Sequence, residues 1–263
     1  MKFLKLNKTL IAALALTVLF SCKKEKPTET ADLQQPELTA ANRLSNIKIC
    51  TEKTLNRTTP RGAVIKSSKW ARGTTIKVSL NGSTLAIRNK VIQYAKEWEK
   101  YANIKFNFVT NDRTASIRVN FVEDGRSWSY MGTDVKYIPA DSVTMHFGWF
   151  NSETDDSEFS RTVLHEFGHA LGLIHEHQHP LNAIPWDKPA VYAYYAGYWT
   201  QAEVDAYLFA KENIAQTNYS AYDKNSIMHY AVPNELTIGD YEVGWNTVLS
   251  PTDKSFIRTV YPF

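Results

Sequence analysis

Five of the chain's seven histidines fall between positions 165 and 179, and three of them have a spacing that suits a metal. His165-Glu166-Phe167-Gly168-His169 sets two imidazoles four residues apart. On a helix that is one face, so both rings can reach the same ion. Glu166, beside the first, is placed to act on water as a general base. The run continues through Ala170, Leu171, Gly172, Leu173 and Ile174 to His175. A glycine three residues past the second histidine can take the positive φ that ends a helix, and the returning chain can bring His175 to the same ion. Three neutral nitrogens with an open fourth position are the donor set of a catalytic zinc site, not of a closed structural one. One Zn2+ per chain is therefore expected on His165, His169 and His175. His146, His177, His179 and His229 are read as rings satisfied by solvent or core, because none has helical spacing to the trio.

Such a site needs elements to hold it. A helix starting at Ser157 or Ser160 and reaching Leu173 would carry the first two histidines. Upstream, Ile76, Val78 and Leu80 alternate in a strand closed by Asn81-Gly82, and residues 83–101 change to helical periodicity through Ile87, Val91, Tyr94 and Trp98. Alternation returns at Ile104, Phe106 and Phe108, and again at Ile117, Val119 and Phe121. A loop is predicted from Asp124-Gly125 through Trp128, Tyr130 and Gly132, then a short strand over Val143, Met145 and Phe147. This order implies an α+β fold with a mixed sheet and a helix packed on it. Downstream, Pro180, Pro185, Pro189 and Pro233 interrupt the pattern, leaving a helix over 201–212 and one from Ser250-Pro251 toward Val260. Gly172 is the hinge between the sheet-bearing and loop-rich parts.

The rest of the chain narrows the setting. Its 263 residues are 43% hydrophobic and 22% charged, as in a soluble globular protein. Two cysteines, Cys22 and Cys50, exclude a disulfide scaffold. Residues 1–61 carry 11 Lys/Arg against 5 Asp/Glu, whereas 62–263 carry 19 against 22. The folded part is mildly acidic, so nucleic acid is not an expected partner. Lys2, Lys5 and Lys8 precede an apolar run over 10–20 that is too short to span a bilayer, the layout of an export signal over 1–21. Leu19-Phe20-Ser21-Cys22 resembles a lipoprotein signal, with Cys22 as the lipidated residue and the only membrane attachment; an ordinary cleaved signal would release the chain instead. Residues 22–61 read as a polar tether interrupted by the apolar island Ile47-Lys48-Ile49-Cys50.

The extended string HExxHxxGxxHE, ending at Glu176, resembles the zinc signature of the metzincin metallopeptidases and their astacin branch. Ser226-Ile227-Met228-His229-Tyr230 resembles the astacin Met-turn, Trp70-Ala71-Arg72-Gly73 an early family motif with alanine for proline, and Ser127-Trp128-Ser129-Tyr130 another. The resemblance covers about 62–263 and implies a two-subdomain zincin, with an upper part 62–172 and a lower, loop-rich helical part 173–263. It implies Met228 as the apolar floor under the metal and Tyr230 as a displaceable metal ligand and transition-state donor. The freed N-terminus after cleavage near Arg61-Gly62 would meet Glu176. The implied activity is a monomeric zinc endopeptidase acting outside the cytoplasm on proteins or peptides by Glu166-assisted attack of a zinc-bound water. The short strand Val143–Phe147, through Val143, Met145 and Phe147, is the expected edge for an extended substrate. Two other readings stay open: a narrow processing protease, and a non-catalytic zinc protein that holds a matrix polymer. Astacin prosegments usually place an aspartate on zinc in a Phe-x-Gly-Asp motif, and this chain has none. Cys50 is the alternative ligand that keeps a precursor latent, since a thiolate binds zinc strongly.

Overall fold

A computed structural model describes residues 48–54, 68–212 and 219–263. The export signal, Cys22, most of the tether and the Arg61-Gly62 boundary lie outside the described residues. Six strands form one mixed sheet in the order β1-β5-β6-β4-β2-β3, with β1 Ile49–Lys53, β2 Thr75–Leu80, β3 Lys105–Val109, β4 Ile117–Asn120, β5 Arg126–Tyr130 and β6 Met145–Phe147. Strands β3, β2, β4 and β6 are mutually parallel; β5 runs antiparallel to β6, and β1 runs parallel to β5.

Two helices pack on the sheet. The first, α1 (Leu85–Ala95), is capped by the Thr84 hydroxyl and buries Ile87, Val91 and Ala95. It is shorter than the predicted 83–101, because the chain tightens into a 3-10 turn at Trp98–Lys100. That turn sinks Trp98 into the core, where its indole donates to the Leu164 carbonyl at 3.0 Å. The second, α2 (Asp156–Ala170), starts ahead of the predicted serines, with Asp156 and Glu158 in its first turn, where the helix dipole favours acids. Ser160 does not cap; its hydroxyl bonds to the Thr247 carbonyl. The face of α2 toward the sheet meets aromatic side chains, Phe167 standing edge-on to Phe106 at 5.1 Å.

Strand β5 corrects the predicted loop. Its alternation is inverted: Ser127 and Ser129 point inward and are fully buried, while Trp128 and Tyr130 stay half-exposed. A hydrophobic-in pattern is absent, so periodicity does not register the strand. Helix α3 (Lys188–Tyr195) is also unforeseen; Asp187 accepts from the Ala190 amide and Pro189 sits in the first turn, where a missing N–H costs nothing. The predicted 201–212 helix divides into α4 (Gln201–Val204), closed by a Thr200–Glu203 capping box, and a π turn at Asp205–Phe209. Helix α5 (Pro251–Val260) begins as expected, with Ser250 capping and Pro251 at its start.

Candidate active site

Helix α2 presents His165, Glu166 and His169, and its far end is secured from three directions. The Trp70 indole donates to the Ala170 carbonyl at 2.8 Å and the Tyr261 hydroxyl to the Leu171 carbonyl at 2.7 Å. These are two of the terminal acceptors that a helix leaves unsatisfied. Gly172 has φ +92°, and the amides of Gly172 and Leu173 close back onto the carbonyls of His169 and Gly168. That hydrogen-bond pair reverses the chain and delivers His175. Gly168 is small for a separate reason: a Cβ there would lie 2.4 Å from the Met228 sulfur. Met228 is thus pressed against the metal-bearing helix. Its turn is tied to α5 through Asp253, which accepts from the Ser226 hydroxyl and the Ile227 amide.

The three histidines converge by their Nε2 atoms, 3.1 Å apart for His165–His169 and 3.2 Å for His169–His175. Nδ1 of His165 donates to the Ile227 carbonyl at 2.8 Å, and Nδ1 of His169 to the Leu173 carbonyl at 2.7 Å. A carbonyl only accepts, so the proton sits on Nδ1 and each Nε2 keeps its lone pair for a metal. Burial first, then the neighbouring imidazoles, lowers the pKa of His165, and burial lowers that of His169 to about 3. His175 joins the group by Nε2, and its Nδ1 lies 2.7 Å from the Glu52 carboxylate. One ligand atom from each histidine lies within 4.8 Å of the others, and all three residues are buried. Glu166 is fully buried beside them, and apart from the Cys50 thiol its carboxylate meets no hydrogen-bond partner among the described residues. Desolvation pushes its pKa well up. Three converging imidazole nitrogens next to a buried carboxylate fit a zinc ion better than a core polar network.

The remaining four rings are engaged elsewhere. His177 Nε2 meets the Tyr207 carbonyl, His179 Nε2 the Ser220 carbonyl, and His229 Nε2 the Tyr222 hydroxyl. His146 lies between Asn120 and Asp124. Tyr230 packs its ring 4.3 Å from both His175 and His177, and its hydroxyl donates to the Cys50 carbonyl, not to the histidine cluster. Glu176 accepts from the Asp223 amide at 2.8 Å, and burial raises its pKa to about 8. Whether an N-terminus meets Glu176 lies outside the described residues.

Cys50 reaches the site on β1, buried, with its sulfur 3.9 Å from Nη1 of Arg161. Burial and the Glu166 carboxylate push its thiol pKa up. Its sulfur does not belong to the three-histidine group of ligand atoms. A cavity of about 250 Å³ opens beside Cys50 and His165, walled by Arg161, Tyr194, Tyr195 and Trp245.

The proposed substrate edge requires correction. Strand β6 is interior: it pairs with β4 on one side and β5 on the other, and Met145 and Phe147 are wholly buried in the core. Val143 precedes the strand. A strand paired on both sides has no free main-chain groups for a substrate. Beyond β6 the sheet continues to β5 and ends at β1, which pairs with β5 residue by residue from Ile49↔Arg126 to Lys53↔Tyr130. Sequence reasoning missed β5 and Glu52. The one signal for Glu52 was its place two residues after Cys50, on the same face of a strand.

Residues 63–259 match the family model Astacin (Peptidase family M12A). A solved structure of myroilysin is similar at 57% identity and TM-score 0.74, covering 77% of this chain and 99% of that one. A crystal structure of myroilysin is similar at 52% identity and TM-score 0.63, covering 83% and 92%. High choriolytic enzyme 1, a hatching-enzyme zinc protease of the medaka fish Oryzias latipes, shares the fold at 18% identity and TM-score 0.52, covering 77% and 98%. No curated protein matches the chain.

Proposed function

Because this chain belongs to the astacin family, it is a zinc metalloendopeptidase, and we propose that it hydrolyses extracellular proteins with Glu166 as its proton carrier and is made as a latent precursor. The observation that carries the reading is the convergence of three Nε2 atoms beside the buried Glu166. Zinc held by His165, His169 and His175 supplies Lewis-acid polarisation. Glu166 takes a proton from the attacking water and returns it to the leaving amine. Tyr230, once released from the Cys50 carbonyl, donates to the peptide oxygen as it gains charge. An extended substrate pairs its main chain with β5, a mode that reads backbone more than side chains.

Leader-free, zinc-loaded protein is expected to cleave a denatured proteome in many sequence contexts, with activity lost to a strong zinc chelator and restored by zinc. A single cleavage motif would favour the processing-protease reading instead. No cleavage at all would leave a zinc protein that only binds.

Latency is supported by the position of β1, which covers β5 and engages Tyr230 through the Cys50 carbonyl. In this proposal Cys50 would add a thiolate to the three histidines in the precursor, since a zinc-bound thiol gives up its proton. The precursor variant Cys50→Ala is expected to show raised basal hydrolysis or faster self-processing, and mercurials to mimic it on the wild type. X-ray absorption of the latent form should find one sulfur beside three nitrogens. A sulfur-free shell together with a silent Cys50→Ala precursor would remove Cys50 from the mechanism.

A further inference from the structure

Each metal-facing histidine is held from behind by its Nδ1, but the three anchors do not come from the same part of the chain. His165 and His169 are held by the Ile227 and Leu173 carbonyls of the catalytic unit. His175 is held by the Glu52 carboxylate, on the far side of the expected Arg61-Gly62 cleavage point. From this geometry we propose that Glu52 is a positioning residue for zinc, supplied by the prosegment. The precursor then grips its metal more tightly than the mature enzyme. The inference rests on the zinc reading above and extends it to metal retention before activation.

The strand dictates the arrangement. Cys50 and Glu52 are two residues apart on β1, so both side chains leave the same face, toward the histidines. Pairing of Glu52 with Ser129 on β5 fixes its depth in the cleft. The Glu52 side chain is 5% exposed and that of His175 3%. A carboxylate buried this far is costly unless paired, and the His175 imidazole is a partner that offsets it. A carboxylate behind a metal-binding histidine orients the ring and makes Nε2 a better donor, and losing such a partner typically weakens metal affinity about 10–100-fold. Cleavage of the prosegment detaches Glu52, so His175 is the one ligand of the three whose anchor leaves.

The test compares zinc affinity, by competition with a chromophoric chelator, in the full-length precursor. A Glu166→Gln background prevents self-cleavage. Glu52→Ala is expected to weaken zinc binding about 10–100-fold, Glu52→Gln to weaken it less, and Glu52→Asp to restore part of the loss. The same factor should appear in a Cys50→Ser background, which separates the effect from any sulfur on the metal. In the wild type, the His175 Nδ1 proton should be a strongly deshielded NMR signal that disappears in Glu52→Ala. Protease protection of residues 48–54 in each variant shows whether β1 stays docked. Unchanged affinity and an unchanged His175 signal with β1 docked would overturn the proposal. A wild-type precursor that takes up no zinc would overturn the zinc reading itself, and this inference with it.

Discussion

Replacing Glu166 by Gln is expected to lower kcat about 10²–10⁴-fold, the usual contribution of a positioned proton carrier. Zinc content should stay at one per chain, because the ligand atoms belong to His165, His169 and His175. The substitution suits a clean test. Glu166 is fully buried and the Cys50 thiol is its one hydrogen-bond partner among the described residues, so a neutral amide of the same shape disturbs that contact alone. It also removes the burial cost of a charge, so thermal stability should hold or rise. Steady-state kinetics on zinc-loaded, leader-free protein, with metal analysis, provide the check. Wild-type turnover in the variant would show that the proton travels by another group.

Tyr230→Phe is expected to cost about 3 kcal/mol of transition-state stabilisation, close to 10²-fold in kcat, with little change in KM. The hydroxyl already donates to a peptide carbonyl in the described state, that of Cys50, so its reach to a main-chain oxygen in the cleft is given by the fold. The ring packs against His175 and His177 at 4.3 Å each, and phenylalanine would keep that packing. A variant with unchanged kcat would reduce Tyr230 to a wall of the pocket. Equal losses in kcat and in zinc content would show that it acts by holding metal.

Much of the site was legible because its information is local. His165, Glu166 and His169 occupy one face of one helix, a relation that depends only on 3.6 residues per turn. Gly172 has the left-handed conformation that its place after the second histidine called for, and the hydrogen bonds that end α2 there bring His175 back. Ser250 and Pro251 opened α5 as their types imply. Helix α3 was hidden by the same logic wrongly weighted, since Pro189 marks a helix start as readily as a break.

The amino-acid sequence by itself determined the metal-binding trio, the base beside it, and the alternating apolar runs that became β2, β3 and β4, because each depends on residues within a few positions of one another. Only the tertiary structure decided the order of the strands in the sheet. The sheet ends on β1, outside β5, so β6 is interior, and the inward serines of β5 carry no hydrophobic period to announce that strand. The same holds for what fixes the histidines in place: a carbonyl 62 residues away for His165, and for His175 the carboxylate of Glu52. Those partners meet because a packed core brings distant polar groups together, and a buried donor must be satisfied.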